Sequence, residues 1–402
     1  MKLTATHTVR AAYIGYLTQA ITINFAPLLF VTFGDVYGIS MGTISLLIGL
    51  SFLTQLTTDA VVAKLSHKMN TRLTAIAAHL FAVIGMTGFA WLPEVLPSPF
   101  LGLAISVMIA AVGGGIVEVI ISPIVEACPT EEKSSAMSLL HSFYSWGLAA
   151  VVLLSTLFFK TAGIEHWRIL SCLWALIPVA GAVAFAFVPI YPLDSLSASE
   201  EEQNAPPLLR NPLFWIFFAV MFSAGASEMA MIQWASAFAE VNLGIPKAVG
   251  DLMGPCAFAI LMGGVRTFYG FSGGRLSLRR FILVSSALCI LSYLIAALSP
   301  WPLISIIGCA LCGLSVGIMW PGTYSLASAR IPFGGVRMFA LLAMAGDIGC
   351  LVGPTAAGWI AEGFGNNLRI AFLFSAIFPL IILILVGVTL KTKSRKSNEK
   401  GA

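Results

Sequence analysis

YPLDSLSASEEEQNAPPLLRN, Tyr191 to Asn211, is the longest polar interruption in the chain and lies almost at its midpoint. Pro, Ser and Glu dominate it, a composition that marks a linker rather than a packed domain. On either side the sequence is a series of apolar stretches, six before and six after. They fall near residues 11–33, 41–65, 73–92, 100–127, 134–159, 167–190, 212–236, 247–272, 281–298, 302–329, 336–362 and 366–390. A helix rises about 1.5 Å per residue, so stretches of about 18 residues or more can cross a hydrocarbon core about 30 Å thick. The polar run therefore joins two halves of an all-α integral membrane protein with twelve transmembrane helices in two pseudo-symmetric six-helix lobes. The expected divisions are an N-terminal lobe over 1–190, a cytoplasmic linker over 191–211, a C-terminal lobe over 212–390 and a basic tail over 391–402. In transporters built from such repeats the site lies near the midplane, between the halves.

Composition agrees with this reading. Of 402 residues, 58% are hydrophobic and 10% charged, where a soluble domain carries about a quarter charged. So few charges could not cover a water-soluble core of this apolarity. The net charge of +4 is small, and no basic patch interleaved with aromatics points to nucleic acid. Cys309 and Cys312 form a CxxC, but inside an apolar helix without His neighbours, which reads as packing. Walker-type and HExxH motifs are absent from the sequence. No enzyme chemistry, cofactor or metal is expected. No small-residue cleavage site follows the first apolar run, so that run reads as a retained span. With the N-terminus inside, Lys160, Arg168, Lys247 and Arg369 fall outside, and the other eighteen of the 22 Lys and Arg, Arg266 among them, fall inside. This asymmetry places both termini in the cytoplasm.

Four acidic residues lie within spans: Asp59, Glu118, Glu228 and Asp347. Each costs about 2.5–3.5 kcal/mol at a helix centre, so each is expected to face a cavity or a partner, with function as the default reading. Glu118 sits in GIVEVIISPIVEA, Gly115 to Ala127, about ten residues from the inner end of the fourth helix. Folding the fifth helix back as a hairpin with its tip near Glu131 sets Glu118 opposite Tyr144 and within a turn of His141. Burial penalises a charged carboxylate and an imidazole can share its proton, so Glu118 and His141 read as a proton-coupling pair. The alternative is a static pair locking the two helices together.

Glu228 sits mid-depth in SAGASEMAMIQWASAF, Ser223 to Phe238, followed by Gln233 and Trp234. Acceptor, amide and flat ring are the groups a polyol site needs; the alternative is a helix-packing glutamate. Asp347, in GDIGCLVGP, Gly346 to Pro354, reads as a second titrating group or as a cap inside a broken helix. Asp59 reads as a gate contact to a loop cation, with Lys68, Arg72, Arg275, Arg279 and the inner-end Arg266 as the gating or clamping set. Asn24, Phe25, Tyr144 and Trp320 join Glu118, Glu228, Gln233 and Trp234 as candidate substrate-binding residues.

Two loops stand at equivalent places in the halves: AKLSHKMNTR, Ala63 to Arg72, and GFSGGRLSLR, Gly270 to Arg279. They resemble degenerate copies of the Gly-x-x-x-Asp-Arg-x-Gly-Arg-Arg motif of the major facilitator superfamily, without its Asp. Positive-inside loops would explain the charges but not the matched placement. Within that superfamily, four runs resemble the fucose–galactose–glucose:proton symporter family. Glu118 and Pro123 match its Glu-x-x-x-Asn-Pro, with Ser122 at the Asn position. HSFYSWG matches its His-x-Phe-Phe-Gly-x-Gly-like run in His141, Phe143 and Gly147. Glu228 and Trp234 keep its Glu-to-Trp spacing, and GIMWPGTYSLA, Gly317 to Ala327, resembles its aromatic-Pro stretch. The resemblance implies the major facilitator fold and a proton-coupled importer of a monosaccharide or related polyol, with Glu118 handling both proton and sugar. A member of that family carries an acid in its first helix; the first span expected here has none, and Asn24 is the nearest polar group. That member's helix-5 Asn corresponds to Tyr144.

The alternative is an exporter of a drug, metabolite or amphiphile driven by proton antiport. Such members of the superfamily often carry Arg in the fourth helix and Gly-Pro in the fifth. Here the fourth has no Arg and the fifth no Pro, which favours import. A membrane sensor would need an output domain, whereas KTKSRKSNEKGA is short, basic and expected to be disordered. The expected partners are a sugar-like solute, protons and the lipid bilayer, with no nucleic acid. The expected setting is a monomer in a bacterial inner membrane.

Overall fold

The computed structural model describes residues 3–65, 69–129, 133–191, 208–271, 277–331 and 335–398. Among them, twelve helices are long and apolar enough to cross a membrane, and no strand forms. They are α1 Ala5–Tyr37, α2 Met41–Val62, α3 Thr71–Val95, α4 Pro99–Val125, α5 Ser142–Ala162, α6 Ile164–Phe187, α7 Pro212–Asn242, α8 Lys247–Tyr269, α9 Leu278–Leu298, α10 Pro302–Arg330, α11 Met338–Gly363 and α12 Leu368–Gly387. The protein is an all-helical, multi-pass membrane protein, as hydrocarbon requires: every backbone polar group must be bonded internally. Twelve crossings bring both chain ends to one face, termed here the terminal face, away from the opposite face.

Several spans start on sequence-encoded caps. Asn70 accepts from Leu73 N at 3.1 Å, Asn211 from Leu213 N at 2.9 Å, and Asn367 from Arg369 N at 3.0 Å. Pro212, Pro99 and Pro302 stand in the first helical turn, where the missing N–H costs nothing. Two boundaries differ from expectation. α1 runs on to Tyr37 and so includes Asp35, where a span without an acid was expected. The helix of α12 continues past its apolar part to Asn398, so most of the tail expected to be disordered is helical. Of the linker, residues 192–207 lie outside those described.

The packing repeats. α1 packs on α4, α5 and α6, α4 also on α2 and α3, and α3 on α6. In the second half α7 packs on α10, α11 and α12, α10 also on α8 and α9, and α9 on α12. The same six pairings relate two six-helix lobes by a pseudo-two-fold. The lobes meet where α2 lies along α11 and α5 along α8. Gly113, Gly114 and Gly115 bring α4 close to three helices at once. A β-carbon there would lie 2.6 Å from Ala78 O of α3, 3.2 Å from Thr22 Oγ1 of α1 and 2.6 Å from Asp59 Oδ1 of α2. Small residues thus set the close approach that positions the site.

α6 and α12 are broken by single residues, Ala175 and Ala376, and α1, α7 and α10 are interrupted near mid-depth beside the site. α1 passes through a 3-10 turn at Ala26–Leu29, around Pro27. The regular helix of α7 stops at Ile232 and resumes at Ala235, and that of α10 pauses at Gly317 and Ile318. Irregular backbone at this depth is tolerated where protein buries it or a cavity is lined. Toward the opposite face the lobes are tied together. Thr156 of α5 donates to buried Asp251 of α8 at 3.4 Å. Asp251 also accepts from Ser236 at 2.5 Å and pairs with Lys247 at 3.2 Å.

Candidate functional site

In the first lobe, Glu118 of α4 is held by two neutral amides. Gln19 Nε2 of α1 and Gln55 Nε2 of α2 both donate to the same oxygen, Oε2, each at 2.7 Å. Among the described residues nothing donates to Oε1. One turn further along α4, the Ser122 hydroxyl bonds the Tyr16 hydroxyl of α1 at 3.1 Å. The expected facing of Glu118 and Tyr144 is not made: the Tyr144 hydroxyl accepts instead from Asn24 Nδ2 at 3.3 Å. The reason is the Gly113–Gly115 run, which turns Glu118 toward α1 and α2 rather than toward α5. His141 lies on the helix that carries Tyr144, and its side chain is outside those described.

In the second lobe, Glu228 of α7 meets a cation. Arg266 Nη2 of α8 pairs with Glu228 Oε2 at 3.4 Å. Its Nη1 donates to Ser145 Oγ of α5 at 3.2 Å, and its Nε to Gly317 O of α10 at 3.2 Å. Arg266 was expected to clamp a loop from the inner end of its helix. It is instead the centre of a mid-membrane network that crosses the lobe interface, and it leaves the count of inner-surface cations. Tyr144 lies within electrostatic reach of both Glu228 and Arg266, so Asn24, Tyr144, Ser145, Arg266 and Glu228 form a polar line from α1 to α7.

The aromatic candidates divide. Trp234 is wholly buried, donates Nε1 to Pro354 O of α11 at 2.8 Å and lies against Phe30 at 5.3 Å. Phe25 is also wholly buried and meets Phe89 edge-on at 6.4 Å. Both were expected to touch substrate. Neither ring has an open face, and both fasten helices beside the breaks in α1 and α7. Gln233, 3% exposed, lines a small cavity between those breaks together with Thr22, Pro27, Phe30 and Ser51. Trp320, partly buried, packs its ring on Gly346 of α11.

The remaining acids lie apart from any loop cation described. Asp59 Oδ1 is buried against Gly115 and has no hydrogen-bond partner among the described residues. Asp347 is 9% exposed and makes no hydrogen bond among the described residues. Of the expected clamp, Lys68 and Arg275 lie outside the described residues. Arg72 Nη1 donates to Phe185 O and Ala186 O at 2.8 Å each, holding the end of α6 rather than an acid. Arg279 stands in the first turn of α9.

Gln19 and Gln55 were missed from sequence. Their signal was present: each follows Leu-Thr in the middle of an apolar span, as Leu17-Thr18-Gln19 and Leu53-Thr54-Gln55. An uncharged amide costs less in a helix than a carboxylate does, so it stood out less.

A sequence profile of the Major Facilitator Superfamily matches residues 12–336 and 257–402. Among curated proteins, the chain is 22% identical over 395 residues to the proton-coupled antiporter flippase LtaA of Staphylococcus haemolyticus, covering 94% of this chain and 90% of that one. It is 23% identical over 383 residues to the protein of the same name from Staphylococcus epidermidis, covering 91% and 88%. Among solved structures it is similar to a bacterial homologue of the human lysosomal transporter Spinster in an inward-facing, unoccupied conformation, with a TM-score of 0.78, 13% identity and 96% and 97% coverage. It is similar to a D-xylose-proton symporter with a TM-score of 0.74, 12% identity and 93% and 97% coverage. It is also similar to the Escherichia coli fucose:proton symporter, in its N162A form, with a TM-score of 0.64, 15% identity and 94% and 98% coverage.

Proposed function

The chain belongs to the major facilitator superfamily, a transporter family rather than an enzyme family, and on that premise we propose that it takes up a hydroxyl-bearing solute, a monosaccharide or related polyol, with protons, by alternating access. The observation that carries this reading is the Glu118 carboxylate, with two amide donors on Oε2 and none described on Oε1. A proton added at Oε1 leaves both amide bonds in place, because Oε2 remains an acceptor. The site can therefore switch charge without losing its shape. Carboxylate, amides and hydroxyls on α1, α2, α4 and α5 are also the groups that pair with sugar hydroxyls. Glu118 takes a proton in one conformation, which removes a charge from the membrane interior, and releases it in the other. His141, just before α5 on the same helix, is its proposed exchange partner.

The moving bodies are the lobes at 1–190 and 212–390, joined by the linker at 191–211, with the terminal face and the 391–402 tail in the cytoplasm. We place the protein, as a monomer, in a bacterial inner membrane. A second reading, export or flipping of an amphiphile by proton antiport, is favoured by the two staphylococcal relatives, both proton-coupled antiporter flippases. Uptake of a radiolabelled monosaccharide panel into proteoliposomes, with and without an imposed inward proton gradient, separates the two. Gradient-driven accumulation of one sugar is expected. No uptake by folded protein, together with proton-driven export of an amphiphile, would establish the second reading.

A further inference from the structure

The membrane interior holds more acid than one proton carrier needs. α2 and α11 run antiparallel along the seam between the lobes, and their small-residue contacts fix the register. Gly42 meets Glu362, Ser45 meets Gly358 and Gly49 meets Thr355. Continued toward the terminal face, this register brings Asp59 of α2 within two residues of the position that faces Asp347 of α11. The two carboxylates and Glu118 lie within electrostatic reach of one another.

Neither aspartate is compensated by a described residue. Asp347 is nine-tenths buried without a hydrogen-bond partner among the described residues, and Asp59 Oδ1 is buried without one. None of the ion pairs among the described residues includes either. Among the described residues, the other titratable groups that face them are Glu118 of α4, Tyr324 of α10 and Cys350, one turn along α11. None of these brings a positive charge. Asp59 cannot withdraw toward α4, because its carboxylate already rests on the backbone of Gly115.

We propose that Asp59 and Asp347 form a second proton site, shared across the α2–α11 seam, that must be occupied before the lobes close at the terminal face. Two ionised carboxylates brought together in a drying interface repel each other. One shared proton replaces that repulsion with a short, charge-assisted O–H···O bond. The site works as an interlock: the opposite-face halves of α2 and α11 interdigitate with a single acid, Glu362, set against Gly42, whereas the terminal halves bring two acids together and do so only when protonated. The proposal rests on the transport reading for the rocking of the lobes, and not for the identity of the solute or the role of Glu118.

The test reads conformation without substrate. Leu65, on the helix of α2 three residues past its apolar span, and Phe339 of α11, both exposed, mark the terminal-face ends of the two helices. Spin labels go on Leu65→Cys and Phe339→Cys in a Cys172→Ser background, the other six cysteines being buried. Pulsed EPR distances are then measured on the full chain in lipid nanodiscs from about pH 5 to pH 9, without sodium. The short-distance population should grow as pH falls. Asp347→Asn should hold it high throughout, and Asp59→Asn should move the midpoint by about one pH unit or more. A pH response unchanged in both variants would overturn the proposal, as would closure driven by sodium at fixed pH. Glu118→Gln in the same assay should keep the response. If it alone abolishes the response, the chain has one proton site and the transport reading stands without the second.

Discussion

Glu118 and Glu228 are the same side chain at mid-membrane positions in the two lobes, yet their surroundings differ in kind. Glu118 receives two neutral amides on one oxygen. Glu228 receives a guanidinium that also grips Ser145 and Gly317. Amides shape a carboxylate without cancelling its charge, whereas arginine cancels the charge and fixes the position. A group that must change charge needs the first setting; a group that holds two lobes in register suits the second. On the proposed reading, the first setting suits a proton carrier and the second a fixed interlobe tie.

The largest effect should come from breaking the second setting. Arg266→Ala leaves Glu228 buried without its cation, a loss of about 3–5 kcal/mol. Thermal unfolding in detergent should drop sharply, and Glu228→Gln added to Arg266→Ala should restore most of it. If the double variant is no more stable than the single one, Glu228 is not held by charge.

A smaller effect is expected in the first setting. Each amide bond to a carboxylate contributes about 1.5–3 kcal/mol to the charged form, or roughly one to two pH units. Gln19→Leu or Gln55→Leu removes a donor that favours the ionised state, so protonated Glu118 should persist to higher pH. The pH profile of solute uptake should therefore move in the alkaline direction. A profile that stays put, or moves acid, breaks the comparison. Smaller again is Tyr144→Phe, which removes a neutral bond of about 0.5–1.5 kcal/mol between Asn24 and the ring hydroxyl. Stability should change little while KM for the solute rises a few-fold. An unchanged KM would place Tyr144 outside the solute path.

The fold was legible in the sequence because hydropathy, span length and one midpoint linker are statements about the solvent, and lipid admits few solutions. The acids were legible for the same reason: charge inside a span is conspicuous. Their partners were not. The depth of Arg266 can be counted along α8, but its long side chain reaches inward to Glu228 instead of out to the surface, and counting does not give that direction. The spacing from Glu228 to Trp234 was visible, but not that the indole N–H would be spent on Pro354 O. That Gln19 and Gln55 partner Glu118 became visible only once Gly113–Gly115 had packed α4 against α1 and α2.

The central claim is that Glu118 carries the coupled proton. The measurement that tests it most directly compares two activities of Glu118→Gln in proteoliposomes: accumulation driven by an inward proton gradient, and gradient-free exchange of labelled for unlabelled solute. Glutamine keeps an oxygen for Gln19 and Gln55 and copies the protonated acid, so the account predicts exchange retained and accumulation lost. Full gradient-driven accumulation in that variant would contradict it.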